Sequence, residues 1–110
     1  MRIFIDADAC PKPVREILYK AGTRFSIELI LVANQALQIP QSPLIRLLQV
    51  SKGFDEADNE IVRLLVAGDL VVTSDIPLAS DAIAKGAQAL NPRGKLYTTH
   101  NIQQQLAVRD

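Results

Sequence analysis

Apolar and polar positions along this chain fall into short blocks whose period switches between strand-like and helix-like. Ile3-Phe4-Ile5 is a brief apolar run ended by Asp6, which predicts a first strand. Pro11 and Pro13 follow, and proline is tolerated in the first turn of a helix, where its missing N–H would be unpaired anyway. Val14, Ile17, Leu18 and Ala21 recur at i, i+3, i+4 and i+7, the stripe of an amphipathic helix, with Gly22 as its predicted stop. Residues 27–33 (Ile-Glu-Leu-Ile-Leu-Val-Ala) are too apolar for a strand with one wet face, and predict a central strand buried on both sides. Residues 34–43 are polar and carry Pro40 and Pro43, hence a loop, and Leu47–Val50 predicts a short third strand.

The second half repeats the pattern. Ala57, Ile61, Leu64 and Leu65 form a helical stripe closed by Gly68, and Leu70–Thr73 is the next strand. Pro77 opens a third helix with Leu78, Ala79, Ala82 and Ile83 on one face and Gly86 at its end. Ala87–Leu90 predicts a fifth, short strand, and Asn101–Val108 a terminal helix. Such strand–helix alternation implies right-handed crossovers and a mainly parallel sheet between layers of helices, a three-layer α/β sandwich. In these sheets ligands bind beyond the carboxyl ends of the strands, near the point where the strand order reverses.

Composition agrees with that architecture. The chain has 110 residues, room for one domain (1–110). Hydrophobic residues make up 48% while aromatics are only 5% and tryptophan is absent, so the core must be Ile, Leu, Val and Ala. Twelve basic and twelve acidic side chains cancel to a net charge of zero, which argues against a broad nucleic-acid-binding surface with its usual basic excess. A small basic rim stays compatible with it. Cys10 is the only cysteine, so an internal disulfide framework is impossible and a reducing, cytoplasmic setting is expected. No apolar run approaches the roughly 18 residues of a membrane span, and the apolar start is too short for a signal peptide.

Candidate chemistry lies in the acids at the strand ends. Asp6 and Asp8 follow the first strand, and Asp75 follows the fourth, so two separate strands deliver carboxylates to one edge. Asp55 and Asp58 start the second helix, whose N-terminus approaches the same edge. At about 100° per residue, Asp58 falls beside Leu65 on the margin of the apolar stripe, with Asp55 and Glu56 further towards water. Crowded carboxylates need protons or cations to neutralise them. Oxygen-only ligands suit Mg²⁺ or Mn²⁺, which activate water and stabilise charge on a phosphodiester under attack. Plainer readings stand beside this one. Asp75 precedes Ile76-Pro77 and can simply cap the third helix. Asp55 taken alone reads better as a cap, with Asp58 at the third helical position favoured by the helix dipole. Asp81 projects away from its apolar face, towards solvent.

Other polar residues carry weaker signals. Asn34-Gln35 follows the central strand, where an amide orients a water or base, or fixes its own loop. Arg93 is the best phosphate contact, since guanidinium matches phosphate oxygens in a bidentate way; Arg93-Gly94-Lys95 also reads as a turn with solvated charges. Lys12 and Arg15 either line the same rim or face solvent. Cys10 stands near a helix N-terminus, which can lower a thiol pKa. The only histidine, His100, is far away in sequence and reads as exposed, so a small packed thiol is the default reading.

The runs Asp6-Ala7-Asp8-Ala9-Cys10-Pro11, Val32-Ala33-Asn34-Gln35, Gly53 to Asn59 (Gly-Phe-Asp-Glu-Ala-Asp-Asn), Thr73 to Ala79 (Thr-Ser-Asp-Ile-Pro-Leu-Ala), and Asn91-Pro92-Arg93-Gly94 with Tyr97 closely resemble the YaiI/YqxD family (UPF0178, DUF188), from end to end and in the same order. That bacterial family is grouped with PIN-like and NYN nuclease domains. The resemblance therefore implies a PIN-like α/β fold and a Mg²⁺- or Mn²⁺-dependent site acting on RNA. Carried over residue by residue, Asp6 matches the aspartate after the first strand, Asp58 the helical acid and Asp75 the aspartate after the fourth strand. These three are the expected catalytic and metal-holding residues, with Asp8, Asp55 and Asn34 as auxiliaries and Arg93 and Lys12 for phosphate. Family members continue past Arg109-Asp110, which implies a C-terminal helical extension outside these residues. Two other classes remain open. A haloacid-dehalogenase-type phosphatase would use Asp6-Ala7-Asp8 as its DxD motif and Thr73 or Ser74 as its second, although a cap insertion and the expected lysine with paired acids are not in place. The third is a PIN-like RNA-binding module without catalysis.

Overall fold

A computed structural model describes residues 1–53 and 55–108, with the side chains of 106–108 excepted. Five strands form one sheet: β1 (Arg2–Asp6), β2 (Glu28–Ala33), β3 (Ile45–Gln49), β4 (Leu70–Val72) and β5 (Gln88–Leu90). Four α-helices connect or follow them: α1 (Lys12–Phe25), α2 (Glu56–Leu64), α3 (Ile76–Ala84) and α4 (Thr99–Val108). A 3₁₀ turn, Ala7–Ala9, lies between β1 and α1. The strand order is β3-β2-β1-β4-β5, and every pairing is parallel. The three-layer α/β reading of the sequence thus holds. The chain grows outwards from β1 to β3, then returns across the sheet to β4 and β5, so the order reverses between β1 and β4.

Side-chain alternation along the strands builds two cores. Ile3 and Ile5 of β1, with Leu29, Leu31 and Ala33 of β2, face α1, where Val14, Leu18 and Tyr19 pack on them. Phe4, Ile30, Val32, Val71 and Ala89 face the opposite layer of α2, α3 and α4. All of Leu29–Ala33 is fully buried, as expected of a strand covered on both sides. Fully burying one such Leu, Ile or Val side chain contributes roughly 1.5–3 kcal/mol. The parallel connection from β2 to β3 contains no helix; Leu37 and Ile39 of that loop pack on the α1 side in its place. Among the described residues, no helix is long and apolar enough to cross a membrane.

Three details depart from the pattern. Gly22 does not end α1: the helix runs on to Phe25, and Ser26 caps it in the left-handed region at φ 55°. Gly22 is instead a close-approach position, because a Cβ there would stand 2.9 Å from Cγ and Cδ1 of Leu29 and 3.1 Å from the Ile27 carbonyl oxygen. Leu29 is fully buried, so Gly22→Ala is expected to cost about 1–3 kcal/mol, read as a lower urea midpoint; an unchanged midpoint would show that the interface can give. Ile17, placed on the apolar stripe, is 66% exposed, because the buried row of α1 follows Val14, Leu18 and Gly22. Likewise α2 ends at Leu64, and Gly68 (φ 91°) serves the turn before β4 instead of closing the helix.

That turn carries a buried acid that the sequence pattern does not mark. Asp69 accepts from the amide of Arg2 (3.1 Å), its guanidinium (2.9 Å) and the amide of Val66 (3.1 Å). Burial alone would raise its pKa, but these donors outweigh it and hold the carboxyl below its usual value. Asp69 therefore ties the amino ends of β1 and β4 together, opposite the edge where the candidate chemistry lies.

Candidate functional site

Alternation places Asp6 on the same face as Phe4, towards α2 and α3. Asp6 is only 7% exposed. The last paired residues of β1 and β4 are Ile5 and Val72, so one step further Thr73 stands beside Asp6 on the same face. Its hydroxyl donates to Asp6 Oδ2 at 2.9 Å and accepts from the Asp75 amide at 3.0 Å. Burial pushes the Asp6 carboxyl above its ordinary value; the Thr73 hydroxyl opposes that rise, and the charges of Asp75 and Asp8 add to it.

Asp75 occupies the N-cap of α3, and its Oδ1 accepts from the Leu78 amide at 2.9 Å. The capping role read from the sequence is real, yet it uses one oxygen only. The Asp58 carboxyl comes from the first turn of α2 and borders the same recess as Asp75. Burial first, then the charges of Asp75 and Asp6, the hydrogen bond with Asp75 and the charge of Asp55, push the Asp58 pKa from 3.8 up to about 7. Near neutrality the Asp58 carboxyl therefore still holds its proton in part. Asp58 stands near enough to Asp75 and Asp6 for their charges to act on it, beside the reversal of strand order between β1 and β4.

Asp55 is at the N-cap of α2 but does not cap it. Its backbone is left-handed (φ 63°) and its side chain makes no capping bond, contrary to the reading preferred for it in isolation. Aspartate tolerates this region better than most residues. Asp55 and Asp58 line two adjoining recesses. One, of about 470 Å³ between α2 and α3, is also lined by Asn59, Ser74, Asp75 and Asp81. The other, of about 110 Å³, is lined by Asp6, Asp8, Asn34 and Glu56. Asp81 is exposed, as its position predicts, and its side chain borders the larger recess.

Asp8 and Asn34 fasten the rim. Asp8 Oδ2 accepts from the Asn34 amide at 2.7 Å, and the Asn34 side chain donates to the Ser51 carbonyl at 3.0 Å. The carboxyl ends of β1 and β2 are thereby tied to the loop after β3, which is the loop-fixing role for Asn34. Lys12 is exposed at the start of α1, and Arg93 is exposed in the turn after β5. Both follow the carboxyl end of a strand, and neither lines the two recesses. The Arg93 amide donates to Asn91 Oδ1 at 2.9 Å, which fixes the turn and leaves the guanidinium to solvent. Arg15 neither lines this rim nor faces solvent fully; it is half-buried beside Cys10 and Tyr19. Cys10 is buried, and burial raises its thiol pKa despite the Arg15 charge, so it is a packed thiol. His100 is exposed.

Two residues of the centre carry little sequence signal. Thr73 is 1% exposed, and the sequence marks it as a strand end, as part of the family-like run and as a candidate phosphatase motif, not as a partner of Asp6; counting strand register from Phe4 and Val71 would have placed it there. Tyr97 donates its hydroxyl to the Thr73 carbonyl at 3.1 Å, and nothing local to residue 97 announces that contact.

None of the five clustered aspartates is in a salt bridge among the described residues. Nor does any group of three or more Asp, Glu, His or Cys side chains there stand in a metal-ligating arrangement. Loading the centre with a cation requires the Asp58 proton to leave.

Fold and site together define a parallel α/β domain with an unpaired carboxylate cluster at its carboxyl edge. The chain belongs to the family described as "Uncharacterized BCR, YaiI/YqxD family", whose model matches residues 4–110. It is 61% identical over 110 residues to a UPF0178 protein of Thioalkalivibrio sulfidiphilus, covering 100% of this chain and 75% of that one. It is 62% identical over 110 residues to a UPF0178 protein of Cellvibrio japonicus (100% and 73%), and 59% identical over 110 residues to the UPF0178 protein YaiI of Escherichia coli (100% and 72%). No solved structure matches the chain significantly.

Proposed function

We propose that this chain is a divalent-cation-dependent phosphodiester hydrolase of PIN-like type, acting on RNA in the cytoplasm. The observation that carries the reading is the convergence of Asp6, Asp58 and Asp75 without a basic partner. Burial, and after it the repulsion of Asp75 and Asp6, raise the Asp58 pKa to about 7. A divalent cation relieves that repulsion better than one proton, and an all-oxygen donor set suits Mg²⁺ or Mn²⁺.

Asp6, Asp58 and Asp75 would hold the ion, with Asp8 and Asp55 as acceptors for its water ligands. The cation would supply Lewis acidity to the phosphoryl oxygen and an acidified water. The protein's own part is positioning. Thr73 orients Asp6, the cap bond to Leu78 orients Asp75, and α2 brings Asp58 over the edge. Arg93 and Lys12, exposed at the same end of the sheet, suit the flanking phosphates of a strand crossing it.

The test is end-labelled single-stranded RNA incubated with the protein and Mn²⁺. Cleavage that stops on chelation supports the proposal. Phosphate release from a small ester, with an aspartyl-phosphate analogue trapped at Asp6, would instead establish the phosphatase. RNA affinity that survives chelation without turnover would establish a binding module.

A further inference from the structure

We infer that Tyr97 is a positioning residue for the carboxylate centre, acting through Thr73; this rests on the reading of that centre given above. Tyr97 lies outside the cluster, on the stretch that doubles back after β5. Its amide donates to the Ala89 carbonyl at 2.8 Å, and Leu96 forms an antiparallel bridge with Leu90. So pinned, the ring enters the core on the side of α2, α3 and α4, and the residue is 7% exposed.

The hydroxyl of Tyr97 then donates to the Thr73 carbonyl at 3.1 Å. The Thr73 amide donates to the Leu90 carbonyl at 3.0 Å. Both backbone polar groups of Thr73 are thus held by the segment from Leu90 to Tyr97, although Thr73 lies beyond the end of β4. A threonine hydroxyl has a single proton. It accepts from the Asp75 amide at 3.0 Å and gives its proton to Asp6 Oδ2 at 2.9 Å. Among the described residues this is the side-chain hydrogen bond that Asp6 makes, so one oxygen of Asp6 is fixed and the other is left for a ligand. Phenylalanine would fill the same core space and remove only the hydroxyl bond to the Thr73 carbonyl.

The test reads Asp6 directly. In metal-free protein carrying ¹³C-labelled aspartate carboxyls, Tyr97→Phe is expected to move the Asp6 signal in the same direction as Thr73→Val, while Thr73→Ser keeps it in place. By calorimetry, Tyr97→Phe should weaken Mn²⁺ binding about 10-fold and Thr73→Val roughly 10–100-fold, the range for groups that orient a metal's ligands. The double variant should be no weaker than Thr73→Val alone, because links in series do not add. Asp69→Asn, at the opposite end of the sheet, controls for lost stability: it should lower the unfolding midpoint and leave both readings unchanged.

An Asp6 signal unmoved by Tyr97→Phe, or additive losses in the double variant, overturns the inference. If Tyr97→Phe does not fold, fluorotyrosine at position 97, which alters the hydroxyl without removing it, must move the Asp6 signal; no movement overturns the inference equally. Wild-type protein that takes up no Mn²⁺, while Tyr97→Phe still shifts Asp6, overturns the metal reading alone and upholds the role of Tyr97.

Discussion

Asp6→Asn is expected to lower Mn²⁺-dependent RNA cleavage by about 10³-fold while leaving the fold intact. A catalytic cation contributes several kcal/mol of charge stabilisation to the transition state, and each 1.36 kcal/mol is about a tenfold rate. Asp6 is the most enclosed of the three acids and the one held by Thr73. An amide of the same shape keeps an acceptor for the Thr73 hydroxyl but removes the negative charge that would attract the ion. It also removes one of the two carboxylate charges that raise Asp58 most, so the Asp58 pKa should fall in the variant. Cleavage rates with and without Mn²⁺, set beside a circular dichroism spectrum, check this. Undiminished cleavage by a folded Asp6→Asn protein would remove Asp6 from the site.

Asp58→Asn should separate stability from function. In the metal-free fold Asp58 titrates near 7 rather than at its ordinary 3.8. An acid whose pKa is raised on folding binds its proton more tightly in the folded state. Wild-type stability should therefore fall as pH rises from about 4 to about 7, then level off. At face value three pKa units correspond to about 4 kcal/mol; Asp58 is only partly buried, and screening by solvent reduces the expected effect to roughly 1–2 kcal/mol. The substituted amide carries no such charge, so the variant should be more stable than wild type at pH 8, and the gap should close towards pH 4. Saturating Mn²⁺ should reverse the ranking, since a ligand at 100 times its Kd adds about 2.7 kcal/mol to the form that binds it. Urea titrations at pH 5 and pH 8, with and without Mn²⁺, read all of this. A stability gap that ignores pH would mean that the Asp58 proton is not held by its neighbours.

Both expectations follow from a centre whose parts were unevenly visible along the chain. Asp6 and Asp75 end apolar runs, and the position of Asp58 on the edge of an apolar stripe is a matter of counting. Asp55 shows the limit of local reading, because the residue stands where a cap belongs yet has a left-handed backbone and makes no capping bond. Gly22 shows the same limit. It looks like a stop beside an apolar stripe, and its actual constraint comes from Leu29 on the neighbouring strand. Arg93 and Lys12 reach the expected edge but not the recesses, since sequence order places a residue at a strand end and says nothing of how far its side chain reaches.

The sequence alone determined the order of strands and helices, the parallel sheet and the edge at which the acids emerge. Those follow from periodicity, chain direction and the need to pair every buried amide, all of which are local or topological. Only the tertiary structure decided that burial and neighbouring carboxylates raise Asp58, that Thr73 fixes Asp6, and that Tyr97 holds Thr73 from the far end of the chain. Desolvation and charge repulsion depend on distance through space, and residues 6, 58, 73, 75 and 97 become neighbours only when the sheet has formed.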